Sequence, residues 1–144
     1  MLCGAVVGVI ELPKEFLDVK YVGRRVPGCP NPSDLSLGAN CQLFAYQLLR
    51  HFGVAVPDWR SSELWEDEAH TLEVKSFNAL DLMLYHREAS AWGAHVGVCL
   101  GGNRVVHLSK AVGRPVIWEH EAFATHERYA HFIGAKRGRK SGER

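Results

Sequence analysis

The sequence has no hydrophobic segment long enough to cross a membrane. The longest near-apolar run close to its start covers residues 5–10, whereas a spanning helix needs about 20 apolar residues. No lysine or arginine precedes that run, so a secretory signal peptide is not recognisable either. We therefore predict no membrane-spanning helix, and the composition gives no cellular location.

The sequence also lacks an excess of charge of one sign. Seventeen Lys and Arg side chains stand against sixteen Asp and Glu side chains, a formal net charge of +1 at pH 7. Such a balance provides no strong field that would attract nucleic acid or an anionic membrane. We therefore expect no nucleic acid partner.

Cysteines are few and widely separated. Cys3, Cys29, Cys41 and Cys99 form neither the dense framework of a disulfide-rich scaffold nor a CxxC metal pair. Cys3 and Cys29 could pair in an oxidising compartment, although a sequence does not give connectivity. A Walker motif and a Rossmann glycine fingerprint are both missing, so we predict no cofactor.

The composition is that of one globular domain. The 144 residues are 47% hydrophobic and 23% charged, with a mean hydropathy of -0.13. This length is sufficient for one buried core and too short for a second. We predict a single domain over residues 1–135 and a flexible basic tail, KRGRKSGER, over residues 136–144.

An amphipathic helix follows a loop at residues 23–38 that is rich in proline and glycine. Asn40 is a favourable N-cap for this helix, and Gly53 is a favourable residue just beyond its end. Small or apolar side chains recur on one face with a period of 3.6 residues: Cys41, Phe44, Ala45, Leu48, Leu49 and Phe52. We predict about three turns of helix that begin at Cys41.

The rest of the chain predicts a mixture of short helices and strands. We predict a short acidic helix over residues 61–69, a buried strand over 82–85, and a hairpin of two strands over 94–99 and 104–109. Two weaker strands, 116–118 and 131–133, flank a predicted helix over residues 119–129.

The hairpin carries one histidine in each strand. With a three-residue loop at residues 100–102, His95 lies directly opposite His107. A two-residue loop would shift the register by one residue and place the two imidazoles on opposite faces. Gly97 and Cys99 share the face of His95. Both residues are small, so they leave room there for the start of the helix.

The thiol of Cys41, at the start of that helix, would form a catalytic trio with the two histidines. Cys41 would be a nucleophile, His95 its base, and His107 the residue that orients the His95 ring, as acyl transfer requires. The positive end of the helix favours the thiolate, and the free N–H of Cys41 can stabilise an oxyanion.

Five segments, in order along the chain, include this trio: Tyr21-Val22-Gly23, Asn40-Cys41-Gln42-Leu43, Asp81 with residues 82–85, His95-Val96-Gly97-Val98 and Val105-Val106-His107-Leu108. Together they resemble the NlpC family of papain-like cell-wall cysteine peptidases over most of the chain. The resemblance implies an α+β, papain-like (NlpC-type) domain in which the Cys41 helix packs on a mainly antiparallel β-sheet.

The same resemblance implies a site and a reaction. Cys41 is then the nucleophile, His95 the general base and His107 the orienting residue, while Tyr21 and the N–H of Cys41 bind the oxyanion. The implied reaction is cofactor-free hydrolysis of an amide through a thioester in peptidoglycan stem peptides, between D-glutamate and a diamino acid. Action at the bacterial cell wall or periplasm follows, and no substrate-binding residue is predicted.

The residues around the cysteine depart from the family pattern. Asn40, Gln42 and Leu43 replace the acid, serine and glycine that are usual there, and loss of the acid removes a charge that could recognise a substrate amine. Two alternatives therefore stay open: a non-catalytic binding domain of the same fold, and an acyltransferase or amidase that acts on a different isopeptide.

A metal site is a weaker interpretation of the eight histidines. His120 and His126 in HEAFATH are six residues apart and cannot share one helix face. A zinc site built from His95, His107 and either Cys41 or Cys99 is chemically reasonable, but no spacing demands it. We predict no metal.

Overall fold

The structure is a computed structural model, and it describes residues 8–139. Six strands form its sheet: β1 Thr71–Val74, β2 Leu82–His86, β3 His95–Gly101, β4 Arg104–Leu108, β5 Pro115–Glu119 and β6 His131–Gly138. Two α-helices precede them, α1 Cys41–His51 and α2 Ser61–Glu66. Four short 3-10 helices lie in the connections: Lys14–Phe16, Leu35–Leu37, His120–Thr125 and Glu127–Tyr129.

The strands form one antiparallel sheet in the order β1-β6-β2-β3-β4-β5. Helix α1 packs against β3 and β4, which confirms the predicted α+β arrangement of a cysteine-bearing helix on an antiparallel sheet. The main core lies between this helix and one face of the sheet, and its fully buried members include Phe44, Leu48, Leu49, Leu84, Val96, Val98 and Val106. Among the described residues, no helix is long and apolar enough to cross a membrane.

Helix α1 begins where the sequence predicts. The Oδ1 atom of Asn40 accepts the N–H of Leu43 at 2.8 Å, which satisfies one of the free donors at the helix start. Beyond the other end, Gly53 has a φ of +86°, a conformation that glycine adopts without steric cost. Both predicted boundary signals of α1 are confirmed.

Helix α2 is shorter than predicted. It ends at Glu66 because the Asp67 carboxylate accepts the backbone N–H groups of Ala69, His70 and Thr71 at 2.7–3.1 Å. These bonds turn the chain into β1, a strand that the sequence pattern did not predict. Among the described strands, β1 lies at the edge of the sheet and pairs only with β6.

The prediction that a flexible tail begins at residue 136 is wrong. β6 continues through Gly138, and its Lys136 is only 2% exposed. The Lys136 ammonium donates to the carbonyls of Trp65 and Asp67 at 3.1 and 2.5 Å, so the end of α2 supplies acceptors for this buried charge. Residues 140–144 lie outside the described residues, as does Cys3, the residue that could pair with Cys29 in an oxidising compartment.

The predicted register of the histidine hairpin is also wrong. The turn has two residues, because Gly101 pairs with Arg104, and a bulge then shifts the pairing so that Val98 faces Val106. His95 is therefore not directly opposite His107 but two residues out of step with it. A bare two-residue turn would separate the two imidazoles, and the extra residue in the bulge returns both to one face.

The prediction that the start of α1 covers the Gly97 and Cys99 face of β3 is also wrong. The helix contacts the side of β3 that carries Val96 and Val98, not the side of Gly97 and Cys99. The space beside Gly97 is already filled from β4, since a Cβ atom there would lie 2.8 Å from Val105 and 3.3 Å from His107.

The chain that follows β5 differs from the single helix predicted over residues 119–129. It forms two 3-10 helices, His120–Thr125 and Glu127–Tyr129, separated at His126, whose ψ of 114° is not helical. Phe123 and Tyr129 project from these helices and are buried against the face of the sheet opposite α1. They form a second core there with Met83, Tyr85 and Cys99. Both weaker strand predictions are confirmed, and β6 is longer than expected.

Candidate active site

A pair of hydrogen-bonded histidines lies where β3 begins. The Nε2 atom of His95 is 2.8 Å from the Nδ1 atom of His107, so one of these nitrogens carries a proton and the other accepts it. His107 is fully buried in β4, whereas His95 is partly buried at the first position of β3. The contact leaves Nδ1 as the free nitrogen of the His95 ring.

The Cys41 thiol lies at the first position of α1, against the start of β3. Backbone N–H groups of Val96, Cys41 and Gln42 point towards its sulfur as hydrogen-bond donors. Val96 directly follows His95, and the described pairing of β3 with β4 starts only at Val98. The thiol therefore lies near the start of β3, at Val96, rather than over the middle of the sheet.

Burial keeps all three groups uncharged at neutral pH. It raises the pKa of the Cys41 thiol, although the surrounding N–H groups and the positive charge of Arg60 act in the opposite direction. Burial also lowers the pKa of His95 to about 3 and that of His107 to about 2, and the charge of Arg128 adds to the effect on His95. At neutral pH the thiol and both imidazoles are thus uncharged.

Aromatic rings fix both imidazoles in place. Tyr129 stacks on His95 with 4.3 Å between the ring centroids, while Trp118 and Phe123 pack against His107 at 4.3 and 4.7 Å. Sequence reasoning missed all three residues. Nothing local marks them, because they come from β5 and the 3-10 helices and meet the histidines only through the folded sheet.

The proton arrangement of the histidine pair decides whether His95 can be a base. His95 can accept a proton at Nδ1 only if its Nε2–H donates to Nδ1 of His107, which leaves the proton of His107 on Nε2. That Nε2 atom is buried and has no hydrogen-bond partner among the described residues. The neighbouring rings of Trp118 and Phe123 provide π-electrons that can accept such an N–H weakly.

Tyr21 lies beside the residues that precede the nucleophile. It forms a parallel bridge with Ala39, and the N–H of Val22 donates to the Ala39 carbonyl at 2.8 Å. Burial and the nearby Cys41 and Tyr129 groups raise the pKa of the Tyr21 hydroxyl. Tyr21 therefore lies on the segment that pairs with the chain just before Cys41, and its hydroxyl is protonated and able to donate.

Arg25 organises the long loop before α1, a role that sequence reasoning missed. The Arg25 guanidinium is buried and has only carbonyl partners, at 2.5–3.1 Å: Pro30, Asn31, Asp34 and Gly38. Its own carbonyl accepts the N–H of Asn40 at 2.8 Å. These bonds connect the whole loop to the residue that caps the Cys41 helix.

The three residues around Cys41 that depart from the family pattern are all buried. The Asn40 side chain is buried and caps α1, and Leu43 is part of the main core. Gln42 is 4% exposed, and its Nε2 atom has no partner within the described part of the chain. Position 40 therefore acts on the helix start and does not extend into solvent.

No group of three His, Cys, Asp or Glu side chains within residues 8–139 is arranged to hold a metal ion. Cys99, one of the possible ligands, is buried in the second core with Met83 and Tyr85.

Comparisons with known proteins identify the fold. No family model matches the sequence, and no curated protein does so either. A solved NlpC/P60 family protein from Bacillus cereus superposes with a TM-score of 0.60 at 18% identity over 87% of this chain. The NlpC/P60 domain of the peptidoglycan hydrolase SagA gives 0.53 at 23% identity, covering 76% of this chain and 85% of that domain.

An NlpC/P60 family protein from Staphylococcus aureus, similar to a lipoprotein, gives 0.57 at 21% identity over 88% of this chain. The chain spans only 37% of the Bacillus cereus protein and 39% of the Staphylococcus aureus protein. The molecule therefore has an NlpC/P60-type fold, the α+β papain-like arrangement that the sequence resemblance implies.

Proposed function

We propose that this protein is a cysteine peptidase or amidase that hydrolyses an amide bond through a thioester on Cys41. The observations that carry the proposal are the 2.8 Å contact between His95 and His107 and the packing of the helix that begins with Cys41 on the two strands that carry these histidines. A thiol, an imidazole and a group that orients the imidazole are the components of nucleophilic acyl transfer.

Attack begins with a proton transfer. As the Cys41 sulfur bonds to the substrate carbonyl carbon, its proton moves to Nδ1 of His95. The carbonyl π-electrons move to oxygen, and the Cys41 N–H and the Tyr21 hydroxyl donate hydrogen bonds to this oxyanion. His107 holds the His95 ring through Nε2, so that Nδ1 stays directed at the reacting atoms.

Collapse of the intermediate gives the thioester. The C–N bond breaks as the His95 imidazolium returns its proton to the leaving amine. Water then attacks the thioester carbon while His95 accepts a proton from it, and the C–S bond breaks to release the acid and the Cys41 thiol. No redox partner or cofactor is needed at any step.

We infer that the substrate is a peptidoglycan stem peptide cut between D-glutamate and a diamino acid, at the bacterial cell wall or periplasm. Support comes from the fold that the chain shares with the domain of SagA, which is described as a peptidoglycan hydrolase.

Digestion of purified muropeptides tests the proposal. We expect the wild-type protein to release fragments cut at the D-glutamate bond, and Cys41→Ala to release none, as read by liquid chromatography and mass spectrometry. Cys29→Ala is the matched control, because Cys29 is a second partly buried thiol that lies outside the site. Equal cleavage by wild type and Cys41→Ala would overturn the proposal.

The raised pKa of the Cys41 thiol favours one second candidate, a domain of the same fold that binds its ligand without turnover. That candidate predicts that the wild-type protein sediments with intact peptidoglycan and leaves it uncut. Products released only by the wild-type protein would exclude it, and transfer of the acyl group to an added amine would identify an acyltransferase.

A further inference from the structure

Two exposed arginines lie on segments that pack around the candidate site. Arg60 directly precedes α2, and Arg128 lies in the 3-10 helix Glu127–Tyr129. Neither guanidinium forms an ion pair or a hydrogen bond with another described residue, whereas Arg114 and Arg137 are both paired with aspartates. Among the described residues, no carboxylate neutralises either of these two cations.

Arg60 is held on the thiol side of the site. The hydroxyl oxygen of Ser61 accepts the N–H of Ala94, which directly precedes β3, at 3.0 Å. On the other side of Arg60, the Trp59 carbonyl accepts the hydroxyl of Tyr46 from α1 at 3.1 Å. The backbone of Arg60 is thus fixed between the start of β3 and the helix that carries the nucleophile.

Arg128 is held on the imidazole side. It directly precedes Tyr129, whose ring stacks on His95 at 4.3 Å. The two positive charges act on the two reacting groups separately: Arg60 lowers the pKa of Cys41, and Arg128 lowers that of His95.

Nearby carboxylates leave Arg60 available. Asp58 and Glu63 both lie near the Tyr46 hydroxyl, whose pKa they raise together with burial. Glu63 is engaged elsewhere, because its Oε1 atom accepts the backbone N–H of Arg60 at 2.9 Å, and neither acid forms an ion pair with the Arg60 guanidinium.

We propose that Arg60 and Arg128 bind carboxylates of the substrate on the two sides of the amide that Cys41 attacks, so that the site selects an acidic peptide. A guanidinium suits this task because its planar donors match a carboxylate in a bidentate pair. The assignment of the amide bond rests on the proposed function, whereas the attraction of anions to Cys41 does not.

A pair of small alkylating agents tests the attraction without turnover. Iodoacetate is an anion and iodoacetamide is its neutral counterpart, and with either reagent a C–S bond forms at the sulfur as iodide leaves and the thiol proton passes to solvent. We expect the ratio of their rate constants at Cys41, followed by peptide mass spectrometry, to exceed the ratio for 2-mercaptoethanol by about three- to tenfold at low salt. Salt at about 1 M should abolish most of this excess.

Variants assign the effect to the two arginines. Arg60→Gln and Arg128→Gln should each lower the ratio by about threefold, while Arg60→Lys, which keeps the charge, should retain most of it. Arg50→Gln is the matched control, because Arg50 is exposed on the same helix about 13 Å from Cys41. Circular dichroism verifies that each variant is folded.

The outcomes separate this inference from the proposed function. A protein that cleaves muropeptides but shows the ratio of 2-mercaptoethanol, or the same ratio in Arg60→Gln, Arg128→Gln and Arg50→Gln, overturns the arginine assignment alone. A protein that cleaves nothing but loses its preference for iodoacetate in Arg60→Gln and Arg128→Gln supports an anion site and removes the peptidase proposal.

Discussion

At the scale of single residues, the chemistry depends on the protons of two buried imidazoles. His95 is a base only while His107 accepts its Nε2–H, and the 2.8 Å contact provides this acceptor. A neutral histidine orients its partner but brings no negative charge to stabilise the imidazolium, unlike a carboxylate in the same place. The relay therefore depends on geometry more than on charge.

Substitution of His107 tests that dependence. Asparagine places an amide oxygen close to the position of Nδ1 and can still accept from His95, whereas leucine fills the space and cannot. We expect His107→Leu to lower kcat by about 100-fold or more, and His107→Asn to keep activity within about tenfold of wild type. Similar kcat values for the two folded variants would show that His107 does not orient the base.

The two lowered histidine pKa values also predict how stability depends on pH. In the unfolded chain these groups bind protons below about pH 6.5, whereas in the folded protein they do so only near pH 3 and 2. Their contribution to stability is therefore fully present above about pH 6.5 and is lost as the pH falls through this window.

Urea unfolding at pH 7 and pH 5 measures this loss. We expect the free energy of unfolding to fall by about 1 kcal/mol or more per pH unit below pH 6.5, and the fall to be smaller in His107→Asn. His131→Gln, which removes an exposed histidine on β6, serves as the control. An equal pH dependence in wild type and His107→Asn would contradict the assignment.

At the scale of elements, the site is built by the loop and the hairpin around it. Arg25 holds the loop that leads to the Asn40 cap, and the bulge in the β3–β4 hairpin returns His95 and His107 to one face. The Arg25 contacts and the bulge thus position site residues that regular helices and strands alone would leave apart. A change in either should act on the site without touching a reacting group.

Replacement of Arg25 tests the loop. Arg25→Met removes a charged donor from four carbonyls, so we expect the protein to lose about 2 kcal/mol of stability. We also expect Cys41 to become more accessible to a neutral alkylating agent. Arg24→Met is the control, since Arg24 is exposed next to it. Unchanged melting temperature and unchanged alkylation in Arg25→Met would show that the loop does not depend on this cation.

The hairpin also shows what the sequence could predict and what it could not. Alternation and turn residues predicted two strands with one histidine each, and the thiol helix was found from its period and its caps. The register was wrong because a bulge costs little locally and leaves no separate signal in composition. The helix was assigned to the wrong face of β3 for a related reason, since short apolar strands such as this one are buried on both sides.

At the scale of the whole molecule, the features that the sequence did not predict are those that depend on contacts between distant segments. β1, the full length of β6, Arg25 and Tyr129 acquire their roles from contacts across 13 to 71 residues of chain, including the Arg25–Gly38 and Lys136–Trp65 bonds. The fold could be predicted because caps and periodicity are local, and because the ordered segments resembled a known family. Charge placement around the thiol appeared only in the folded chain.

The central claim is that Cys41 carries the acyl group during turnover, and mass spectrometry of the quenched protein tests it most directly. The protein is mixed with a muropeptide, stopped in acid within the first turnover and digested, and the Cys41 peptide is weighed. We expect an added mass equal to the acyl half of the substrate on the Cys41 peptide of the wild-type protein, and no added mass in His95→Gln. Product formed at the wild-type rate by Cys41→Ala, with no adduct on the wild-type Cys41 peptide, would contradict it.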